Sequence, residues 1–205
     1  SFTLLPSVID RRKGICLGTS ILYVALAQRL DLPIQSVTPP GHIFVRYTDP
    51  DGNIINIETT ARGINIPSDN YLNIETKFLQ TRTNKEVIGL AFVNEAALYL
   101  KENNFEKAAS LYEKGQKYLP NDFLLKQLLG CCYLFIGKEK EGTKLLKEIE
   151  NISPSYQVGK ESLASDYLHS KVNIEGLKAI FESFWNSLSE RKNISDNINA
   201  DEDDF

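Results

Sequence analysis

A period of 34 residues runs through the second half of the chain and restricts its fold more than any other feature. Residues 93–122 align with residues 127–156, so that small residues fall on small residues and proline falls on proline. The matched pairs are Ala96 with Gly130, Tyr99 with Tyr133, Ala108 with Gly142, Leu111 with Leu145 and Pro120 with Pro154. Small residues let paired helices approach closely, and proline ends a helix. The period therefore predicts a stack of antiparallel helix pairs.

This pattern resembles the tetratricopeptide repeat, whose units are 34 residues long. Two such units leave an apolar end uncovered, so the array is expected to carry a cap or a third unit. Residues 174–188 supply a candidate, because their apolar residues recur at helical spacing. These are Ile174, Leu177, Phe181, Phe184 and Leu188. Residues 157–170 are the expected partner helix, and we interpret Phe181 and Trp185 as core residues.

The first half of the chain mixes helical and strand signals. Residues 16–30 have the dense apolar pattern of a buried helix, and Pro33 cannot continue it. Three short runs with a β-rich composition follow, separated by the turn-forming sequences "PPG" and "TDPDGN". They are residues 34–38, 42–47 and 54–60. The order of one helix and three strands predicts an α+β fold, to which the helical half adds an all-α solenoid.

We predict three parts along the chain: an α+β domain at residues 1–80, a helical repeat domain at 86–190 and an acidic, disordered tail at 193–205. A connecting helix is placed at residues 71–80, and the boundary falls at residues 81–86. The tail ends in "DEDDF", whose four carboxylates leave too little apolar surface for folding. Because the chain begins with serine and contains no methionine, we expect it to be a piece of a longer protein.

Composition argues against several classes of function. The net charge is −4 at pH 7, whereas binding of nucleic acid requires a basic face. No apolar run approaches the roughly 20 residues that span a bilayer, and neither a zinc-type CxxC or HxxxH spacing nor a glycine-rich phosphate loop occurs. We therefore expect no nucleic acid, no membrane and no cofactor. Three cysteines, two of them adjacent, make no disulfide framework and favour a reducing, cytoplasmic location.

Cys16 stands at the start of the first predicted helix and is a candidate nucleophile. A helix N-terminus lowers the pKa of a thiol through its dipole and its N–H groups, which can also stabilise an oxyanion. A nucleophilic thiol also needs a base, and the base needs an orienting group. His42 opens the second predicted strand, and Glu58 lies on the returning strand. A hairpin loop of residues 48–52 would place His42 directly opposite Glu58.

A helix-start cysteine, a strand histidine and a carboxylate on the next strand, in this order, resemble the transglutaminase-like superfamily, a papain-related fold. Four stretches are similar to those of a bacterial group that joins such a domain to tetratricopeptide repeats: "LLPSVIDRRKG", "SILYVALAQRLDLPIQSV", "PPGHIFVRY" and "NIETTARG". The resemblance covers about residues 2–63 and the repeats. It implies that Cys16 is the nucleophile, His42 the base and Glu58 the orienting carboxylate. The superfamily usually has aspartate, one methylene shorter, at the third position.

Two functions from different classes fit these features. The first is thiol-dependent acyl transfer from an amide, as in a protease, deamidase or transglutaminase, with the repeats presenting a protein substrate. The second is a non-catalytic scaffold, in which the transglutaminase-like domain is structural and the repeat groove binds a protein or peptide partner. Lys101, Asn104 and Lys126 are candidate polar residues of that groove.

The other notable side chains have simpler interpretations. We expect Cys131 and Cys132 to be packing residues of the second repeat, because a free cysteine behaves most often as a small buried apolar residue. His169, in "DYLHSK", is expected on the surface or between helices. Arg46 and Arg62 are candidates for recognition of a substrate carboxylate, although a solvated charge is the commoner role of an arginine.

Overall fold

The computed structural model describes residues 4–39, 41–68, 79–152 and 163–186. Two helices and an antiparallel sheet form the first part of the chain, and paired helices form the second. The first part contains α1 (Leu5–Arg11), α2 (Cys16–Arg29), β1 (Ile34–Thr38), β2 (Phe44–Thr48), β3 (Ile54–Glu58), β4 (Ile64–Asn65) and β5 (Gln80–Arg82). The second contains α3 (Asn84–Lys101), α4 (Phe105–Gln116), α5 (Phe123–Phe135), α6 (Glu139–Ile149), α7 (Leu163–Leu168) and helical residues 174–186, named α8.

The five strands form one sheet in the order β4-β3-β2-β1-β5, with antiparallel neighbours throughout. This mixed α+β arrangement agrees with the sequence-based prediction, and the predicted helix at 16–30 is α2. Residues 71–78 of the connecting helix predicted at 71–80 lie outside the described residues. Its last residue, Gln80, belongs instead to β5, because it pairs with Thr38 of β1 and closes the far edge of the sheet.

Helix α2 packs against the sheet, and helix α3 covers the beginning of α2. Val37 and Phe44, from β1 and β2, are fully buried in the sheet. A separate cluster joins Leu17 of α2, Ile43 of the β1–β2 connection and Val87 of α3, all 6% exposed or less. Three different elements therefore meet at the first turn of α2.

The helices α3 to α6 pack as two antiparallel pairs that meet through small residues. Ala96 of α3 and Ala108 of α4 are fully buried, and Gly130 of α5 and Gly142 of α6 are buried at the equivalent positions. A methyl group at Gly142 would lie 2.8 Å from the carbonyl oxygen of Gly130, closer than atoms pack. The small residues singled out by the period therefore lie where the helices approach most closely.

Helix α8 packs beside the second pair through a stripe with four-residue spacing. Leu177 is fully buried, and Phe181 and Trp185 pack against the helical cores. The prediction that Phe184 shares this buried face is wrong, because the stripe through residues 177, 181 and 185 turns Phe184 outward, where it is 53% exposed. Leu188 lies outside the described residues.

Two of the three candidate groove residues, Asn104 and Lys126, have structural partners within the helix pairs. The side chain of Asn104 caps α4 by accepting a hydrogen bond from the N–H of Lys107. The ammonium group of Lys126 pairs with Glu148 of α6 at 2.9 Å. Both side chains therefore have a structural role in the helix pairs, separate from the predicted role in a binding groove.

Residues 81–86, where the boundary is predicted, contain the end of β5 and the beginning of α3. Thr83 is the N-cap of α3 and forms a capping box with Glu86, so the helix begins directly after the strand. The three predicted parts of the chain stay predictions, and the tail at 193–205 lies outside the described residues.

We expect Gly142→Ala to lower the free energy of unfolding by about 1 to 2 kcal/mol, because overpacking against the backbone of α5 outweighs the gain in helix propensity. The measurement is urea denaturation followed by circular dichroism. Lys144→Ala, on the exposed face of α6, is the matched control and is expected to leave stability nearly unchanged. Equal or higher stability of Gly142→Ala would contradict this close packing.

Candidate active site

Cys16 is the first residue of α2, as the sequence predicted. The N-cap is Ile15, whose hydrocarbon side chain offers no acceptor to the N–H groups of the first turn. The backbone N–H groups of Leu17 and Ile43 instead hydrogen-bond to the sulfur of Cys16. The thiol is half-buried, so it combines shelter from water with access from one side.

His42 lies in the turn between β1 and β2. Its N–H donates to the carbonyl of Pro39 at 3.2 Å, and Gly41 adopts a φ of +73°, a conformation that favours glycine. Strand β2 begins only at Phe44, so the prediction that His42 opens this strand is wrong. The turn, rather than the pleat of a strand, directs the imidazole towards Cys16.

Glu58 is the last residue of β3 and is 5% exposed. The predicted register, with His42 directly opposite Glu58, is wrong by two residues. Thr48 pairs with Ile54, and the intervening loop is closed by Asp49 and Asn53. The carboxylate of Asp49 accepts hydrogen bonds from the backbone and side chain of Asn53 at 2.7 and 2.8 Å, which moves the loop by one position. A two-residue shift preserves the pleat, so Glu58 keeps its face.

The three residues predicted for the site form one chain of hydrogen bonds. His42 Nε2 lies 2.7 Å from Glu58 Oε2, and His42 also hydrogen-bonds to Cys16. Because Glu58 occupies Nε2, we infer that Nδ1 faces the thiol. The second oxygen of Glu58 accepts from the hydroxyl of Thr60 at 2.6 Å and from its N–H at 3.1 Å. Thr60 thus holds the carboxylate in line with the imidazole.

This arrangement favours a thiolate beside an imidazolium. Partial burial by itself raises the pKa of Cys16, but the hydrogen bond to His42, its positive charge and the N–H groups of Ile43 and Leu17 outweigh burial and lower the pKa. The hydrogen bond with Cys16 is the largest cause that raises the pKa of His42. Burial opposes it, the carboxylate of Glu58 reinforces it, and the pKa rises from 6.5 to about 9.

A small hydroxyl cluster ties α2 to the end of β3. The hydroxyl of Thr59 lies 2.9 Å from that of Thr19 and 3.1 Å from that of Ser20. Because Thr59 follows Glu58 directly, these contacts fix the distance between the first turn of α2 and the carboxylate. The sequence analysis missed Thr19, Ser20, Thr59 and Thr60, and the run "NIETT" beside the candidate carboxylate is the only local signal for them.

The two arginines considered for substrate recognition lie apart from this chain of hydrogen bonds. Arg46 donates to Asn56 at 2.8 Å and to Ser68 at 3.1 Å, while the amide of Asn56 donates to the carbonyl of Ile66. Arg46 therefore organises the polar inner face of β2 and β3. Arg62 is exposed in the turn after β3.

A cleft of about 220 Å³ opens beside Cys16 and His42. Its walls come from the β1–β2 connection, from β5, from one face of α3 and from the beginning of α5. The cleft therefore lies where the sheet part and the helical part of the chain meet. Arg82 connects β1 and α3 through hydrogen bonds to Thr38 and Glu86.

The remaining cysteines and the second histidine lie elsewhere. Cys131 and Cys132 are fully buried in α5, and burial raises the pKa of both thiols, that of Cys132 to about 12. They pack in the helical cores, as the sequence predicted. His169 is exposed and lies 3.5 Å from Glu150. Cys16 is therefore the one thiol with a lowered pKa among the three cysteines.

Within the described ranges of the chain, no group of three or more histidine, cysteine, aspartate and glutamate side chains is arranged to hold a metal ion. The helices of the same ranges include none whose length and apolarity would allow it to cross a membrane.

Residues 2–97 match the family model described as the transglutaminase-like superfamily. The match begins before α1, includes Cys16, His42 and Glu58, and runs into α3. An α+β core with a five-stranded antiparallel sheet is consistent with such a domain. The first part of the chain is thus a transglutaminase-like superfamily domain.

Two curated relatives are UPF0162 proteins of Xylella fastidiosa, from strains Temecula1 and 9a5c. Each is 23% identical to this chain over 167 residues, which make up 74% of this chain and 58% of the relative. The chain therefore spans a little over half the length of these relatives. No solved structure matches it.

We expect His42→Gln to move the midpoint of Cys16 alkylation to a higher pH, because the positive charge that stabilises the thiolate is removed. The measurement is the rate of carbamidomethylation by iodoacetamide between pH 5 and 10, followed by peptide mass spectrometry. His169→Gln, at the exposed histidine, is the matched control. An unchanged midpoint in His42→Gln would show that His42 does not set the ionisation of the thiol.

Proposed function

We propose that the transglutaminase-like superfamily domain of residues 2–97 is a thiol-dependent enzyme that transfers the acyl group of an amide. Cys16 is the nucleophile, His42 the acid and base, and Glu58 the residue that orients the imidazole. The observation that carries the proposal is the hydrogen-bonded chain from Cys16 through His42 to Glu58, with a lowered thiol pKa at its start.

The proposed reaction has two steps. The thiolate of Cys16 attacks the carbonyl carbon, a C–S bond forms, and the carbonyl oxygen takes the negative charge. The backbone N–H groups of Leu17 and Ile43 are the donors nearest to this centre. The imidazolium of His42 gives its proton to the leaving nitrogen, the C–N bond breaks, and a thioester remains on Cys16.

In the second step, neutral His42 removes a proton from the acyl acceptor, which attacks the thioester and releases Cys16 as thiolate. Water as acceptor gives a protease or a deamidase, depending on whether the leaving nitrogen belongs to a peptide bond or to a side-chain amide. An amine as acceptor gives a transglutaminase. The buried carboxylate of Glu58 stabilises the imidazolium throughout and keeps Nδ1 directed at the sulfur.

We also propose that α3 to α6 are two tetratricopeptide repeats that bind a protein or peptide. The support is the 34-residue equivalence of Ala96 with Gly130 and of Ala108 with Gly142, all buried between paired helices. On this proposal the helical part brings a protein substrate to the thiol. The alternative function is a scaffold, in which the same helices bind a partner and the first domain has no turnover.

The test is incubation with a casein digest and a dansylated alkylamine, followed by mass spectrometry for new peptide termini, conversion of glutamine to glutamate, and amine adducts. We expect one of these products with the wild type and none with Cys16→Ala. Products that persist in Cys16→Ala would refute the thiol mechanism. If the wild type forms none of the three products although Cys16 ionises as expected, the scaffold alternative is favoured.

Glu58→Asp is expected to lower kcat/KM by about 10- to 100-fold, even though aspartate is the usual superfamily residue, because the carboxylate loses one methylene of reach towards His42. Glu58→Gln should lower it at least as much, because the negative charge that supports the imidazolium is lost. Thermal unfolding of both variants checks that the fold persists. An aspartate variant as active as the wild type would show that the 2.7 Å contact is not needed.

The pH dependence follows from the two pKa values. The active pair is thiolate with imidazolium, so kcat/KM should fall above about pH 9, where His42 loses its proton. It should also fall at acid pH, as the thiolate takes up a proton below its lowered pKa. Glu58→Gln should move the alkaline limb to lower pH, because the carboxylate raises the pKa of His42. An alkaline limb that is unchanged in this variant would contradict the assignment.

A further inference from the structure

The cleft beside Cys16 has an aliphatic lining that the proposed chemistry does not use. Leu17, Pro39 and Ile43 contribute from the first domain, Leu90 and Val93 from α3, and Leu124 from the first turn of α5. These side chains line the same cleft as the thiol. Binding of an apolar group against such a surface is favourable, and the gain in binding free energy is proportional to the apolar area removed from water.

The polar residues of the cleft already serve to hold its walls. Arg82 donates to Thr38 of β1 at 2.8 Å and to Glu86 of α3 at 3.3 Å, and its guanidinium lies 3.9 Å from Asp122. Asp122 is also the N-cap of α5 and accepts from the N–H of Leu125. The guanidinium of Arg82 therefore faces two carboxylates, which disfavours an anionic substrate group beside it.

The volume and the lining of the cleft further restrict the ligands that it can hold. A volume of about 220 Å³ is below the roughly 300 to 1,000 Å³ of sites for drug-sized ligands, so it suits one or two side chains. Among the described residues that line it, none is phenylalanine, tyrosine or tryptophan, so no large aromatic ring in the lining is available to stack on a nucleobase.

We propose that this cleft selects amide substrates with an aliphatic group close to the carbonyl that Cys16 attacks, and that Leu90, Val93 and Leu124 form the specificity wall. The inference rests on the proposed function and deepens it, since it names the substrate class. It also gives the helical part a direct role: α3 and α5 contact the reacting substrate as well as any partner. The substrate class is an amide whose carbonyl lies beside an aliphatic group.

The probes are N-ethyl and N-hexyl iodoacetamide, which both alkylate the sulfur of Cys16 to a thioether and release iodide, and whose products differ only in the N-alkyl group. Their rates with free cysteine calibrate intrinsic reactivity. We expect the second-order rate with Cys16 to be roughly tenfold higher for the hexyl reagent, because part of its four additional methylenes leaves water in the cleft. Labelling at Cys131 and Cys132 is followed separately by peptide mass spectrometry.

Leu124→Asn is the test variant, because Leu124 is 44% exposed and its replacement leaves the core intact. We expect it to reduce the hexyl preference to about threefold or less. Leu98→Asn is the matched control, since Leu98 is 49% exposed on α3 and is not among the residues of the cleft. It should keep the full preference.

Two outcomes overturn the inference: equal calibrated rates for both reagents with the wild type, or equal loss of preference in both variants. Running the series at pH 6.5 and at pH 9.5 separates this inference from the proposed function. If both reagents label Cys16 slowly at pH 6.5 but not at pH 9.5, the lowered thiol pKa is refuted, yet a hexyl preference at pH 9.5 would still support the proposed selectivity of the cleft. Fast labelling at pH 6.5 without a hexyl preference would refute the selectivity of the cleft and leave the lowered thiol pKa intact.

Discussion

The hydrogen bond between His42 and Glu58 is the contact on which the geometry of the site depends. A carboxylate that is 5% exposed is costly to bury unless its oxygens are satisfied, and Glu58 meets this condition with His42 on one oxygen and Thr60 on the other. The same bond fixes the ring of His42, which has no strand to hold it. The end of β3 and the β1–β2 turn are therefore held in one arrangement beside Cys16.

The first turn of α2 is held independently of that bond. Thr59 contacts Thr19 and Ser20 across the interface between the helix and β3, and the uncapped N-terminus leaves N–H groups for the sulfur. Of the influences that lower the thiol pKa, the N–H group of Leu17 is local to α2, whereas the N–H group of Ile43 and the imidazolium of His42 come from the β1–β2 connection. The thiol of Cys16 is therefore held in place by several contacts rather than by a single interaction.

Helix α3 belongs to both parts of the molecule. It begins directly after β5, covers Leu17 and Ile43 with Val87, and pairs with α4 through Ala96 and Ala108. The superfamily match runs into the same helix, to residue 97. The helical part therefore packs against the first part of the chain, which carries Cys16. The cleft between the two parts exists because α3 and α5 supply one of its walls.

Much of the local structure was predictable from the sequence. The start of α2 at Cys16, the three strands and the close approach at Gly142 follow from periodicity, turn residues and small side chains, which act within a few residues or along one helix face. The tertiary structure alone decided the rest. Asp49 and Asn53 moved the hairpin register, Gly41 took His42 out of the strand, and residues far apart in the chain built the aliphatic wall. These outcomes depend on contacts between elements, for which a single sequence carries no local signal.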